Sequence, residues 1–343
     1  MAKHLNTRHL RISKIYLQHL TPRKMANMLR VEKRLLLNDG NLDGLYPHIV
    51  VVEASNNCNL RCPLCQMGQR RTIPRKQLMS AEAYKSLILP LAPYVSVAYL
   101  QNWGEPFFNK EIYAIIRTNT VLNIGTVVSS NFNIDLDPYR LIDSGLAYLI
   151  ISGDGITQDV YSKYRRGGDI TRVLKNLDAL VEAKKLRNSR TPFIEWQCLV
   201  TKYNENQLVE IEETARARGA NAVKFANINF VCANGDLAIR EEYLPSNEAF
   251  RGDHDFLGPL RKKNGLRKPC YWLWRAAVIN VNGGIVPCCL YDVPDWGNVF
   301  ENDFLSEWNN HFFQEARSRS NASNCDKKMD LICDHCTAPF IYK

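Results

Sequence analysis

The sequence predicts an α/β chain built on a parallel sheet, and two observations carry that prediction. Six short β-rich apolar runs lie between Ile49 and about Phe230, and a helical pattern follows each of them. Ahead of the first run, Leu10, Ile15, Leu17 and Leu20 repeat loosely at helical spacing. Thr21-Pro22 then reads as an N-cap and the first residue of a second helix that reaches about Asn38. A helical hairpin is therefore expected over residues 1–46. The runs IVVVEA, SVAYLQ, IGTVVS, YLIIS, FIEWQCLV and AVKFAN read as strands, with helices beginning near Ser80, Asn109, Leu136, Thr157, Val173 and Asn204. Six such units fit a partial barrel at least as well as a doubly wound sheet. In either, the ligand edge is the C-terminal end of the strands. The units span residues 47–232. A Pro- and charge-rich connector, 233–269, leads into a Cys- and Trp-rich tail, 270–343.

Composition sets the outer limits. The chain has 343 residues, 45% hydrophobic and 23% charged, enough for a sizeable core, which excludes intrinsic disorder. Eleven cysteines are too sparse for a disulfide scaffold, and an odd count leaves at least one unpaired, so a reducing compartment and a cytoplasmic location are expected. No stretch reaches the roughly 18 apolar residues of a membrane span. The net charge is +9, and residues 1–46 hold nine Lys/Arg against three Asp/Glu, two thirds of that surplus. Such a basic helical arm packs on its own domain with its charges solvated more often than it grips a membrane or an acidic partner.

The strand IVVVEAS runs directly into NNCNLRCPLC, which puts Cys58, Cys62 and Cys65 in one tight loop at a strand's C-terminal end. A structural zinc site wants four ligands in a closed tetrahedron. Three thiolates are what a four-iron cluster needs if one iron is to stay open to a substrate. The C-x3-C-x2-C loop resembles that of the radical S-adenosylmethionine (SAM) superfamily, whose loop follows the first strand of a partial (β/α)6 TIM-type barrel. The resemblance covers roughly residues 48 to 230. It implies that the open iron chelates SAM, and that reductive cleavage of the sulfonium releases a 5′-deoxyadenosyl radical that abstracts a hydrogen atom.

Further positions carry over one by one as cofactor-binding candidates. Gly104-Glu105-Pro106 resembles the family's Gly-Gly-Glu-Pro element, in which backbone and carboxylate accept hydrogen bonds from the SAM ammonium; here Trp103 replaces the first glycine. Ser129, Ser130 and Asn131 fall where the family places small polar residues near the ribose. Ser152 and Asp154 match its Ser-x-Asp-Gly strand end, and Arg165 or Arg166 is placed to pair with the SAM carboxylate. Leu64 stands where many members carry an aromatic against the adenine.

The tail holds a second constellation. AAVINV and IVPCC flank Asn282-Gly283-Gly284, a hairpin signal that returns the chain towards Cys270. Asn302 or Asp303 caps a helix expected through FLSEWNNHFFQEARS, and Cys333 and Cys336 form a C-x2-C pair. Cys270, Cys288, Cys333 and Cys336 can enclose a metal centre, with iron-sulfur and zinc both open on ligand type alone. The segment, using Gly283, resembles the auxiliary-cluster extension called SPASM, or its shorter form, twitch. That resemblance implies a single four-cysteine [4Fe-4S] cluster, two per chain in all.

The four-cysteine extension most resembles that of the dehydrogenase of butirosin biosynthesis, which implies oxidation of a secondary alcohol on a sugar or cyclitol with the auxiliary cluster as electron acceptor. It also implies a small-molecule substrate and a reductase, flavodoxin or ferredoxin as electron donor. Cys198, Cys232, Cys289 and Cys325 are left over; a small buried hydrophobe is the default for each, and a hydrogen-atom donor in an epimerase is the sharper alternative. In RGDHDF, Arg251 and His254, with Asp253 and Asp255, lie just before the extension and are candidates for the barrel mouth. Peptide modification is a further enzyme reading. A metal-dependent nucleic-acid-binding module is disfavoured, because the basic arm lacks interleaved aromatics.

Overall fold

The computed structural model describes residues 3–69, 76–228, 230, 236–251, 270–289, 293–321 and 331–334. Cys232, His254, Cys325 and Cys336 lie outside the described residues, as do Asp253 and Asp255.

The chain opens with α1 (Lys3–Gln18) and α2 (Pro22–Leu36). Thr21 caps α2 by accepting from the Lys24 amide at 3.3 Å. Strands β1 (Ile49–Val52), β2 (Val97–Leu100), β3 (Gly125–Ser130), β4 (Tyr148–Ser152), β5 (Phe193–Val200) and β6 (Ala222–Asn227) follow. Between and after them come α3 (Gln66–Gln69), α4 (Ala81–Ile88), α5 (Ile112–Val121), α6 (Pro138–Asp143), α7 (Gln158–Tyr164), α8 (Ile170–Leu186), α9 (Leu208–Ala217) and α10 (Leu237–Tyr243). Local side chains fix the starts: Ser80 caps α4, Asp137 caps α6 and Asp169 caps α8. The last begins at Ile170 rather than near Val173, because the Asp169 cap precedes the first apolar position of the pattern.

Beyond the connector, α11 (Tyr271–Arg275) leads into the hairpin β7 (Ala276–Ile279) and β8 (Ile285–Val286), then α12 (Phe304–Trp308) and α13 (His311–Asn321). The helix expected through residues 304–318 is two helices. Asn310 interrupts it: its side-chain oxygen accepts from the amides of Phe312 and Phe313 at 3.1 and 3.3 Å, starting a new helix.

All eight strands form one sheet in the order β6-β5-β4-β3-β2-β1-β7-β8, parallel except for β8. Strands buried on both faces need no alternation of polar residues, which is why β1 reads Ile-Val-Val-Val. One face packs on the helical layer through Val50, Val52, Ala98, Val128, Leu149 and Trp196. On the other, Val97, Val127, Tyr148 and Ile150 meet Ile12, Ile15 and Tyr16 of α1. The N-terminal helix thus lies against the face that a barrel turns inward. Among the described residues no helix is long and apolar enough to cross a membrane.

Candidate active site

The thiol loop sits at the C-terminal edge of the sheet and is held by polar contacts on one side and apolar ones on the other. Asn59 donates to the Asn133 carbonyl at 2.7 Å, and the Asn131 amide group donates to the Asn59 side chain at 3.0 Å and to Cys58 Sγ at 3.6 Å. Asn133 in turn donates to the Tyr161 hydroxyl at 2.6 Å. These bonds tie the loop after β1 to the loop after β3. Leu60, Leu64 and Tyr164 pack around the three cysteines together with Ile228, Phe230 and Tyr243. Leu64 is therefore part of the wall that excludes water.

Burial pushes the Cys58 thiol up to about 11 and the Cys62 thiol up to about 12, and each thiolate makes its neighbours harder to ionise. Three mutually interacting thiols, with N–H donors aimed at the sulfurs of Cys58 and Cys62, are a donor set that suits a multi-iron cluster.

Asp154 and Arg165 form the second part. Asp154 is fully buried; it accepts from Arg165 Nε at 2.6 Å and from the Leu199 amide at 2.7 Å. Arg165 also points NH1 at Cys62 Sγ, 3.9 Å away. Of the two adjacent arginines it is the one that turns inward. Arg166 instead donates to the Tyr243 hydroxyl at 3.0 Å and pairs with exposed Glu242.

Glu105 is held within the protein from three sides. Its oxygens accept from Ser130 Oγ at 2.8 Å, from the Asn131 amide at 2.7 Å and from the Phe107 amide at 3.2 Å. Three of the roughly four lone-pair positions of a carboxylate are thus taken within the protein, and Glu105 straps the loop after β2 to the end of β3. Burial raises its pKa to about 7. Gly104 is required sterically, since a side chain there would run into the Ser55 carbonyl. Ser129 and Ser152 end β3 and β4 on the same edge.

Glu53, immediately after β1, escaped the sequence reading. It is buried, burial lifts its pKa to about 7, and it accepts from the amides of Trp103 at 3.3 Å and Val281 at 3.2 Å. One carboxylate thereby joins the loop after β2 to the β7–β8 hairpin. A charged residue closing an otherwise apolar strand was the available signal.

The remaining candidates fall in different places. Cys270 begins α11 and Cys288 follows β8, and Cys289 interacts electrostatically with both, so the hairpin does bring these three together. Cys333 packs against the main core. Cys198 is buried among the residues facing the helical layer, as its default reading as a small buried hydrophobe expects, and accepts from Asn204 Nδ2 at 3.4 Å. Arg251 is exposed and donates to the Pro245 carbonyl at 2.9 Å, bonded within its own loop.

A thiol loop at the C-terminal edge of a β/α sheet, with a second cysteine-bearing unit joined to the same first strand, defines an iron-sulfur enzyme with chemistry at the barrel mouth. The chain carries a radical SAM domain, whose model matches residues 52–193, and a SPASM iron-sulfur cluster-binding domain over residues 270–337. These domains bind SAM with a [4Fe-4S] cluster and additional iron-sulfur clusters. The chain is 22% identical over 175 residues to the GTP 3′,8-cyclase of Saccharophagus degradans, covering 50% of this chain and 51% of that enzyme, so it spans about half the length of the curated relatives it matches. In fold it is similar to Streptococcus suis SuiB bound to S-adenosylmethionine (TM-score 0.58, 16% identity, 80% of this chain and 68% of that one). It is also similar to BtrN in complex with AdoMet and 2-DOIA (TM-score 0.50, 14% identity, 80% and 87%).

Proposed function

We propose that this enzyme oxidises a secondary alcohol of a polar small molecule such as a sugar or cyclitol. The observation that supports this most is the parallel pairing of β1 with β7, Ile49 to Ala276 through Val52 to Ile279. It attaches the auxiliary cysteines to the strand that carries the SAM-cluster loop, and Glu53 clamps the junction. Cys58, Cys62 and Cys65 are the proposed ligands of the first cluster, and Cys270, Cys288, Cys333 and Cys336 those of a single auxiliary [4Fe-4S] cluster. When bound, SAM and its cluster supply a 5′-deoxyadenosyl radical, and the auxiliary cluster supplies an electron acceptor. The substrate carbinol loses one hydrogen atom, one proton and one electron, which leaves a ketone.

The chain's own residues hold and shield that chemistry. Asn131 and Arg165 direct N–H groups at the sulfurs of Cys58 and Cys62, which would hold the cluster, Asp154 fixes Arg165, Glu105 fixes the loop bearing Asn131, and Leu60, Leu64 and Tyr164 keep water out. A cleft of about 840 Å³ beside the loop, lined in part by Arg61 and Arg166, offers a cationic approach for an acidic external reductant.

The test is anaerobic turnover with candidate alcohols deuterated at carbon, read by mass spectrometry. Deuterium in 5′-deoxyadenosine together with a ketone product is expected from one of them. GTP belongs in the same panel, because relatives named as GTP 3′,8-cyclases favour a second reading, ring closure on a nucleotide. Transfer from GTP with no ketone from any alcohol would replace the first reading with the second. Iron analysis should give about eight irons per chain; about four irons with one zinc removes the auxiliary cluster.

A further inference from the structure

The inward face of β4, β5 and β6 carries a polar row that the radical SAM motifs do not account for. On β5, Trp196 and Cys198 enter the helical layer, so Glu195 and Gln197 take the opposite face. The register aligns Ser152 of β4 with Gln197, and Gln197 with Lys224 of β6. Below this row the same face is apolar, Val127, Tyr148 and Ile150 meeting α1. The row therefore lies towards the C-terminal edge of the sheet, the edge that carries the thiol loop.

Arg8 reaches it from α1. Its guanidinium donates to Gln197 Oε1 at 2.6 Å and pairs with Glu195, whose other oxygen accepts from the Tyr148 hydroxyl at 2.8 Å. Both oxygens of that carboxylate are thereby used, and its charge is matched by Arg8. Lys224 is a second cation on the same face, sensing repulsion from Arg8 and attraction from Glu195, and among the described residues it has no ion-pair partner. Arg8 Nε is itself buried without a hydrogen-bond acceptor. Two cations against one carboxylate leave a surplus positive charge and an unused N–H donor in a half-buried chamber, where Coulomb interactions are stronger than in water.

We propose that Lys224 and Arg8 form a subsite for an anionic group of the substrate, a phosphate or a carboxylate, with Gln197 holding Arg8 in place. Burial also lowers the Lys224 pKa to about 8, and an anion arriving beside the ammonium offsets part of that desolvation cost. The subsite deepens the proposed function, since it rests on the inward face being the substrate chamber. It narrows the candidate polar molecules to those bearing an acidic group.

The test uses the holoenzyme with both clusters reconstituted and SAM saturating, so that Arg165 is not the anion's partner. Inorganic phosphate, followed by phosphorus NMR line broadening, and carbon-labelled acetate, followed by carbon NMR, separate the two anion types. One of them is expected to bind the wild type, with Lys224→Gln weakening it about tenfold or more, Lys224→Arg retaining it, and Lys14→Gln, on the exposed side of α1, leaving it unchanged. No binding of either anion by the wild type, or equal affinity in Lys224→Gln, overturns the subsite. Loss in Lys14→Gln matching that in Lys224→Gln places the anion on the basic arm and overturns it as well. Formation of 5′-deoxyadenosine by the wild type, measured separately, tests the radical reading, so the two failures cannot be confused.

Discussion

At the residue scale, the site is organised by buried carboxylates that accept from backbone amides. Glu53 shows how this becomes measurable. Its folded pKa of about 7 exceeds the ordinary 4.5, so the folded chain holds a proton that the unfolded chain has released between those values, and stability falls as pH rises through that window. Glu53→Gln keeps the shape but offers only one accepting atom to the Trp103 and Val281 amides. It should destabilise at about pH 5 by roughly 1–3 kcal/mol. By about pH 8 the deficit should shrink, because only the wild type then bears the buried charge. Denaturant melts at the two pH values check this, and a deficit that grows with pH contradicts the assigned direction. The grouping of the three cysteines in one loop was legible in their spacing, whereas Asp154 and Arg165 were singled out only through the family resemblance. Glu53, Asn59, Asn133 and Tyr161 were not legible, since a hydrogen bond across 74 residues, as between Asn59 and Asn133, leaves no local periodicity.

At the element scale, caps decided where helices begin, and apolar pattern alone misplaced some of them. The strands from β1 to β6 matched their apolar runs because parallel strands buried on both faces are continuous in composition. The split between α12 and α13 was not anticipated, because Leu305, Trp308 and Phe312 continue a helical pattern across it while Asn310 competes for the same backbone. Asn310→Ala removes the cap of α13 and its 2.7 Å bond to the Trp296 carbonyl. A loss of about 1–2 kcal/mol is expected in chemical denaturation. Unchanged stability would mean that the two helices hold together without it. The N-terminal arm was expected with solvated charges, and Arg8 departs from that: α1 crosses the inward face, and position 8 meets Glu195 there.

At the scale of the whole molecule, the auxiliary unit is part of the barrel's sheet. Glu53 and the β1–β7 ladder place the two cysteine groups on neighbouring strands of one sheet, which no reading of either segment by itself reveals. A chain ending before Cys270 leaves the outer edge of β1 unpaired and uncovers Val51, which now packs with Val278 and Val286. Such a truncation should aggregate, as seen by light scattering; a monodisperse truncated protein would show that the ladder is dispensable.

The same ladder bears on how the protein is made. β1 emerges early in synthesis, yet its partner at Ala276 lies more than two hundred residues further along the chain. Until that partner arrives, one flank of β1 has no ladder, and contacts of such long range form late. Assembly thus waits on the translation of β7, and the nascent protein must be kept from pairing that edge with a stranger in the meantime.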